Sequence, residues 1–109
     1  MRAAMGLGAL LAISGLNSGS FATETGDAAA GALVAGVWCG NCHVTVSRPP
    51  GPVDDAAPSF PSIARQPYTT SMSLRVFLQT PHRDMPNYQL SQTELDDVVA
   101  YILSLRGSR

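Results

Sequence analysis

Apolar residues recur at three- and four-residue steps near both ends of this chain, and the pattern breaks down between them. From about Asp27, the residues Ala30, Leu33, Val34 and Val37 fall on one face of a helix that ends at Trp38. Asp27 suits the positive end of that helix. Gly31 lies within it, where glycine is about 1 kcal/mol less favourable than alanine, so something should pack close to the backbone there. Near the other end, Ser91-Gln92-Thr93-Glu94 reads as a capping box. Leu95, Val98, Val99, Ile102 and Leu103 then form a wide apolar stripe, closed by Arg106-Gly107.

The middle of the chain is irregular. Residues 44–58 hold four prolines and Gly51, with Asp54-Asp55 among them, and predict a loop. Pro58-Ser59-Phe60-Pro61-Ser62-Ile63-Ala64 has room for one helical turn, anchored by Phe60 and Ile63. A further helix is predicted over 71–79, capped by Thr70, with Leu74, Phe77 and Leu78 as its apolar face and Pro81 as its stop. Residues 81–88 are turn-rich and extended. There are no repeats, no low-complexity tract and no convincing strand, so the fold class is all-α, with its two main helices at the ends of the chain.

A chain of 109 residues is one domain, near the lower limit for a self-sufficient core. Its seven basic residues are all arginine against eight acids, a net charge of −1. With no basic run, nucleic acid and acidic membrane surfaces are poor partners. Arg2, the apolar stretch 3–16 and the small residues around Ser20-Phe21-Ala22 read as a secretory signal. Residues 1–22 are therefore expected to be a signal peptide, 23–109 the mature domain, and the periplasm its destination. An uncleaved anchor is the alternative, although the apolar run is short and glycine-rich for a membrane span.

The chemistry concentrates in Cys39-Gly40-Asn41-Cys42-His43. Two cysteines three apart with a histidine after the second read as a site for covalent haem c. On one helical turn, both thiols reach the vinyl groups of one porphyrin and His43 points at the iron. A thioredoxin-like redox pair would need a βαβ setting that this chain lacks. Half a zinc site would need further ligands, and there is no second cysteine pair. Export also fits, because haem is attached to thiols outside the bacterial cytoplasm and a free pair there tends towards a disulfide.

With these residues in place, the chain resembles a bacterial class I monohaem cytochrome c over nearly all of its mature length. The resemblance covers the first helix running into Cys39-x-x-Cys42-His43, the Ala57-Pro58-Ser59-Phe60 segment, residues 74–86 around Met85-Pro86, and Val99-Ala100-Tyr101-Ile102. It implies a cytochrome c fold whose terminal helices cross over the haem, with Gly31 of one against Tyr101 of the other. It further implies that Pro58 supplies a backbone carbonyl to the second ring nitrogen of His43, with Pro52 as runner-up. A hydrogen bond of that kind fixes the tautomer of a ligating histidine.

The resemblance gives Met85 the distal position on the iron. A thioether ligand raises the reduction potential, as suits an electron carrier. Met72 is expected to be ordinary core filler. His82, three residues before Met85, is expected to be an exposed loop histidine. Arg48, Arg65 and Tyr68 are candidates for holding the propionates, with no choice among them.

The function implied is a periplasmic one-electron carrier, not an enzyme. Its partners would be donor and acceptor proteins, met through small, weak contacts. Without lysine, docking would rely on an apolar patch near the haem edge, rimmed by arginines. The alternatives are a dedicated cytochrome subunit of a periplasmic oxidoreductase, a haem sensor or enzyme with an open sixth position, and a thiol–disulfide oxidoreductase.

Overall fold

A computed structural model of the chain describes residues 25–52, 57–82 and 84–108. The signal-peptide reading of residues 1–22 falls outside them. Four helices follow in order: α1 (Ala28–Trp38), α2 (Phe60–Arg65), α3 (Ser71–Leu78) and α4 (Gln92–Ser104), with a short 3-10 turn at Leu105–Gly107. There is no strand among the described residues. The fold is all-α.

Each helix begins where its sequence provides a side-chain acceptor for the free amides of the first turn. Asp27 accepts from the amides of Ala29 (2.8 Å) and Ala30 (3.1 Å) at the head of α1. Ser59 accepts from Ser62 (3.2 Å) at α2. Thr70 and Ser73 form a reciprocal box at α3. Ser91 and Glu94 do the same at α4, over 3.1 and 2.8 Å.

The core gathers around α4. Leu95, Val98, Val99 and Ile102 are buried together with Ala35, Phe60, Ala64, Leu74 and Leu105. α1 packs on α4 more extensively than any other pair of elements. The face that α1 turns inward is not the one its large apolar residues define. Gly31 and Ala35 are buried, whereas Leu33 is 75% and Val37 66% exposed. This corrects the expected apolar face. The backbones explain it: a Cβ on Gly31 would lie 1.9 Å from the Asp97 carbonyl oxygen and 2.9 Å from the Tyr101 Cβ. At that separation only small residues fit, so the bulky ones rotate outward. Gly31 does meet Tyr101, but the closest approach is to the α4 backbone.

Polar contacts fasten the rest. The Asp27 amide donates to Asp97 Oδ1 (2.7 Å), joining the head of α1 to the middle of α4. Arg75 pairs with Asp96, joining α3 to α4. Arg106 donates from Nε to the Ala64 carbonyl (3.0 Å) and from its guanidinium to the Thr69 carbonyl, drawing α2 onto the end of the chain. On α3, Leu74 is buried and Leu78 half-buried, but Phe77 is half-exposed. Met72 is 71% exposed, so it does not fill the core. It sits on the face of α3 opposite the Leu74 contact.

Candidate functional site

The helical path of α1 runs on past Trp38 through the Cys39-x-x-Cys42-His43 turn. The amides of Cys42 and His43 both donate to the Cys39 carbonyl, at 3.1 and 2.9 Å. Cys39, Cys42 and His43 are therefore carried on one tight turn at the end of a packed helix. Both thiols are free; Cys39 is half-buried and Cys42 exposed. Burial pushes the Cys39 thiol above its ordinary value.

The loop that follows is closed by a backbone bond from the Phe60 amide to the Val44 carbonyl (2.9 Å). That closure brings Pro58 beneath His43. His43 Nδ1 lies 2.6 Å from the Pro58 carbonyl oxygen. A carbonyl can only accept, so Nδ1 carries a proton and donates it, which leaves Nε2 as the nitrogen that can face a metal. Phe60 packs against the imidazole with ring centroids 5.4 Å apart, and Tyr101 follows at 6.4 Å from Phe60. The Tyr101 hydroxyl donates to the Thr45 carbonyl, joining α4 to the same loop. Burial raises the Tyr101 phenol above its ordinary value of 10.0.

Met85 belongs to the connection between α3 and α4. His82 and Met85 pair as an isolated antiparallel bridge, and Asp84 between them adopts φ +59°. Aspartate tolerates the left-handed region better than most residues. This tight turn leaves Met85 half-buried. It faces a cleft to which α1 and its extension contribute Val34, Trp38 and Cys39, α3 Leu78, α4 Val98, and the connection Met85, Pro86, Tyr88 and Leu90. Trp38 and Tyr88 touch across it, with ring centroids 5.2 Å apart.

These residues fit a covalent haem. Two free thiols stand on one turn, an imidazole is oriented through Nδ1 by the Pro58 carbonyl, and a thioether shares an apolar cleft with Cys39. Of the other residues considered, Pro52 is exposed. His82 is half-buried against Phe77. Arg65 lines a separate groove with Val44, Val46 and Pro61. Tyr68 is 72% exposed, and Arg48 lies exposed in the loop after the cysteine turn. None of the three propionate candidates lines the cleft that holds Met85. Sequence reasoning missed the Trp38–Tyr88 contact and the Asp27–Asp97 bond. Periodicity carries no signal for either, since both join segments distant in the chain.

The chain is 42% identical over 101 residues to cytochrome c-552 of Bradyrhizobium diazoefficiens, a match spanning 93% of each protein. No family model matches the chain. No solved structure matches it significantly.

Proposed function

The chain belongs to the class I monohaem cytochromes c, and from that membership we propose a periplasmic carrier that passes one electron at a time through a haem c bound by Cys39 and Cys42 and ligated by His43 and Met85. The observation that carries this reading is the apolar cleft shared by Cys39 and Met85. When bound, the haem supplies reversible one-electron cycling of its iron between the ferric and ferrous states. Everything else falls to the chain.

Cys39 and Cys42 provide the thiols for two thioether links. His43 offers Nε2 to the iron, while the Pro58 carbonyl holds Nδ1 protonated and fixes the plane of the ring. Phe60 restrains the same ring from the core side. Val34, Leu78, Leu90 and Val98 line the cleft with apolar surface, which would pack against the ring. In this low-polarity setting a Met85 thioether on a bound haem would favour the ferrous state and raise the potential. With His43 and Met85 both held to a bound haem, oxygen or a substrate would find no open place on the iron, and the chain would carry electrons without a reaction of its own.

Leu33, Val37 and Trp38 are exposed beside Cys39, on a helix without a charged residue. They support docking of redox partners through an apolar face instead of a ring of lysines. No helix among the described residues is long and apolar enough to cross a membrane. Residues 1–22 are read as the export signal, and the mass of the native protein tests this: retention of Met1 refutes cleavage.

Met85→Ala tests the reading as a whole. The variant should bind carbon monoxide readily when reduced, and its potential should fall as water or another base replaces sulfur. An unchanged spectrum, potential and ligand affinity would remove Met85 from the iron.

A further inference from the structure

The connection that carries Met85 makes two ring contacts, each three residues away from the thioether, and packs Leu90 against the core at its far end. His82 packs on Phe77 of α3 with centroids 3.4 Å apart, and Tyr88 packs on Trp38 of α1 at 5.2 Å with the rings inclined by 47°. Among the described residues its backbone makes few other bonds. Besides the His82–Met85 bridge, the amides of Tyr88 and Leu90 donate only within the segment itself, to Pro86 (3.1 Å) and Tyr88 (3.0 Å). Such a segment takes its position from side-chain contacts and opens locally when they are removed.

The two contacts differ in what they join. Phe77–His82 connects the segment to the helix just before it in sequence. Trp38–Tyr88 reaches across 50 residues to the residue immediately before Cys39, at the point where the cysteine turn begins. Movement of Tyr88 away from Trp38 widens the cleft between Cys39 and Met85, because all four residues line it.

We propose that the Trp38–Tyr88 contact is a positioning clasp that holds Met85 against the sixth coordination site, so that its opening controls the entry of outside ligands. The proposal rests on ligation of the iron by Met85 and goes further: it assigns to two residues that touch no metal the stability of the closed state. The contact is between rings, so the phenol oxygen contributes nothing to it. An aromatic pair of this kind is worth about 1 kcal/mol beyond its buried area. Removing it should raise the population of the open segment several-fold, and the apparent affinity of any competing ligand rises in the same proportion.

The test is imidazole titration of the ferric holoprotein, followed in the haem spectrum, with unfolding midpoints measured in parallel. Tyr88→Ala and Trp38→Ala should each bind imidazole about five- to tenfold more tightly than the wild type. Both should also weaken the sulfur-to-iron charge-transfer band. Tyr88→Phe should behave as the wild type. The double alanine variant should gain no more than either single one, because both remove the same contact. If the alanine variants lose stability but bind imidazole like the wild type, the contact is packing only and the clasp is refuted. Additive gains in the double variant, or a gain in Tyr88→Phe equal to that in Tyr88→Ala, also overturn it. Met85→Ala, titrated alongside, separates the two ideas. Strong binding there with none in the alanine variants rejects the clasp alone, whereas wild-type behaviour in Met85→Ala rejects the distal ligand and the clasp together.

Discussion

The Tyr101 phenol shows how one side chain couples the inside of this protein to pH. It lies beside Phe60, donates its proton to the Thr45 carbonyl, and has its ionisation raised by burial. Burial favours the neutral phenol in the folded state more than in the unfolded chain. A group raised in this way contributes stability fully below its unfolded value, near 10.0, and loses it as pH rises through the higher folded value. The holoprotein should therefore weaken in alkaline solution, most steeply above pH 10. Tyr101→Phe should flatten that slope, while costing about 1 kcal/mol at neutral pH for the hydrogen bond to Thr45. Denaturant melts of both proteins between pH 7 and 11 check this; parallel pH profiles would exclude Tyr101 as the source. Cys39 is also raised by burial, but in the holoprotein its sulfur would be a thioether and would not titrate.

At the level of elements, the α1–α4 crossing decides which residues of α1 matter. Gly31 and Gly36 lie five residues apart on the same helix, and both are unfavourable there by propensity alone. Their surroundings give opposite signs on substitution. A Cβ on Gly31 collides with the Asp97 backbone at 1.9 Å, and backbone cannot move aside without parting the helices. Gly31→Ala should cost at least about 2 kcal/mol, in the upper range of overpacking. A Cβ on Gly36 meets nothing within 4 Å. Gly36→Ala should stabilise the protein by about 0.5–1 kcal/mol. Chemical denaturation of the two holoproteins gives both numbers. A similar gain from each would mean that the helices are not in contact at Gly31. The helices at this scale were well marked in the sequence: caps at Thr70 and Ser91 stand where the structure has them, and Asp27, placed at the positive end of α1, also caps it. What periodicity misjudged was the inward face of α1, because nearly every residue of that helix is apolar and no polar face points away from the core.

Taken whole, the molecule has a small core built around α4 and a narrow apolar cleft beside it. Among the described residues of the loop after the cysteine turn, the bonds from Phe60 to Val44, from His43 to Pro58 and from Tyr101 to Thr45 tie it to the helices. A domain near the lower size limit has little stability to spare. With haem c covalently in place, the cleft side chains Val34, Leu78, Leu90 and Val98 gain a large apolar partner. The chain expressed without haem attachment should accordingly be largely unfolded, with low helix content by circular dichroism and no cooperative thermal transition. A sharp melt in the haem-free chain would show that the helices and the closing loop bonds suffice without it.

Sequence alone determined the local features: which segments are helical, where they are capped, and that two thiols and an imidazole share one turn. Each depends on residues within four or five positions of one another, so spacing and side-chain chemistry are enough to fix it. Motif and resemblance also identified the cofactor class, since Cys39-x-x-Cys42-His43 is a covalent requirement and not a packing preference. Tertiary structure decided what depends on distance between remote segments. It turned Gly31 and Ala35 inward and Leu33 outward, since the separation of α1 from α4 is set by both backbones at once. It selected Pro58 over Pro52 as the hydrogen-bond partner of His43, since several prolines share that loop and only its closure through Phe60 and Val44 brings one of them beneath the imidazole. It also set Tyr88 against Trp38, a contact invisible to any local pattern because its two rings lie 50 residues apart in the chain and meet only when the helices have packed.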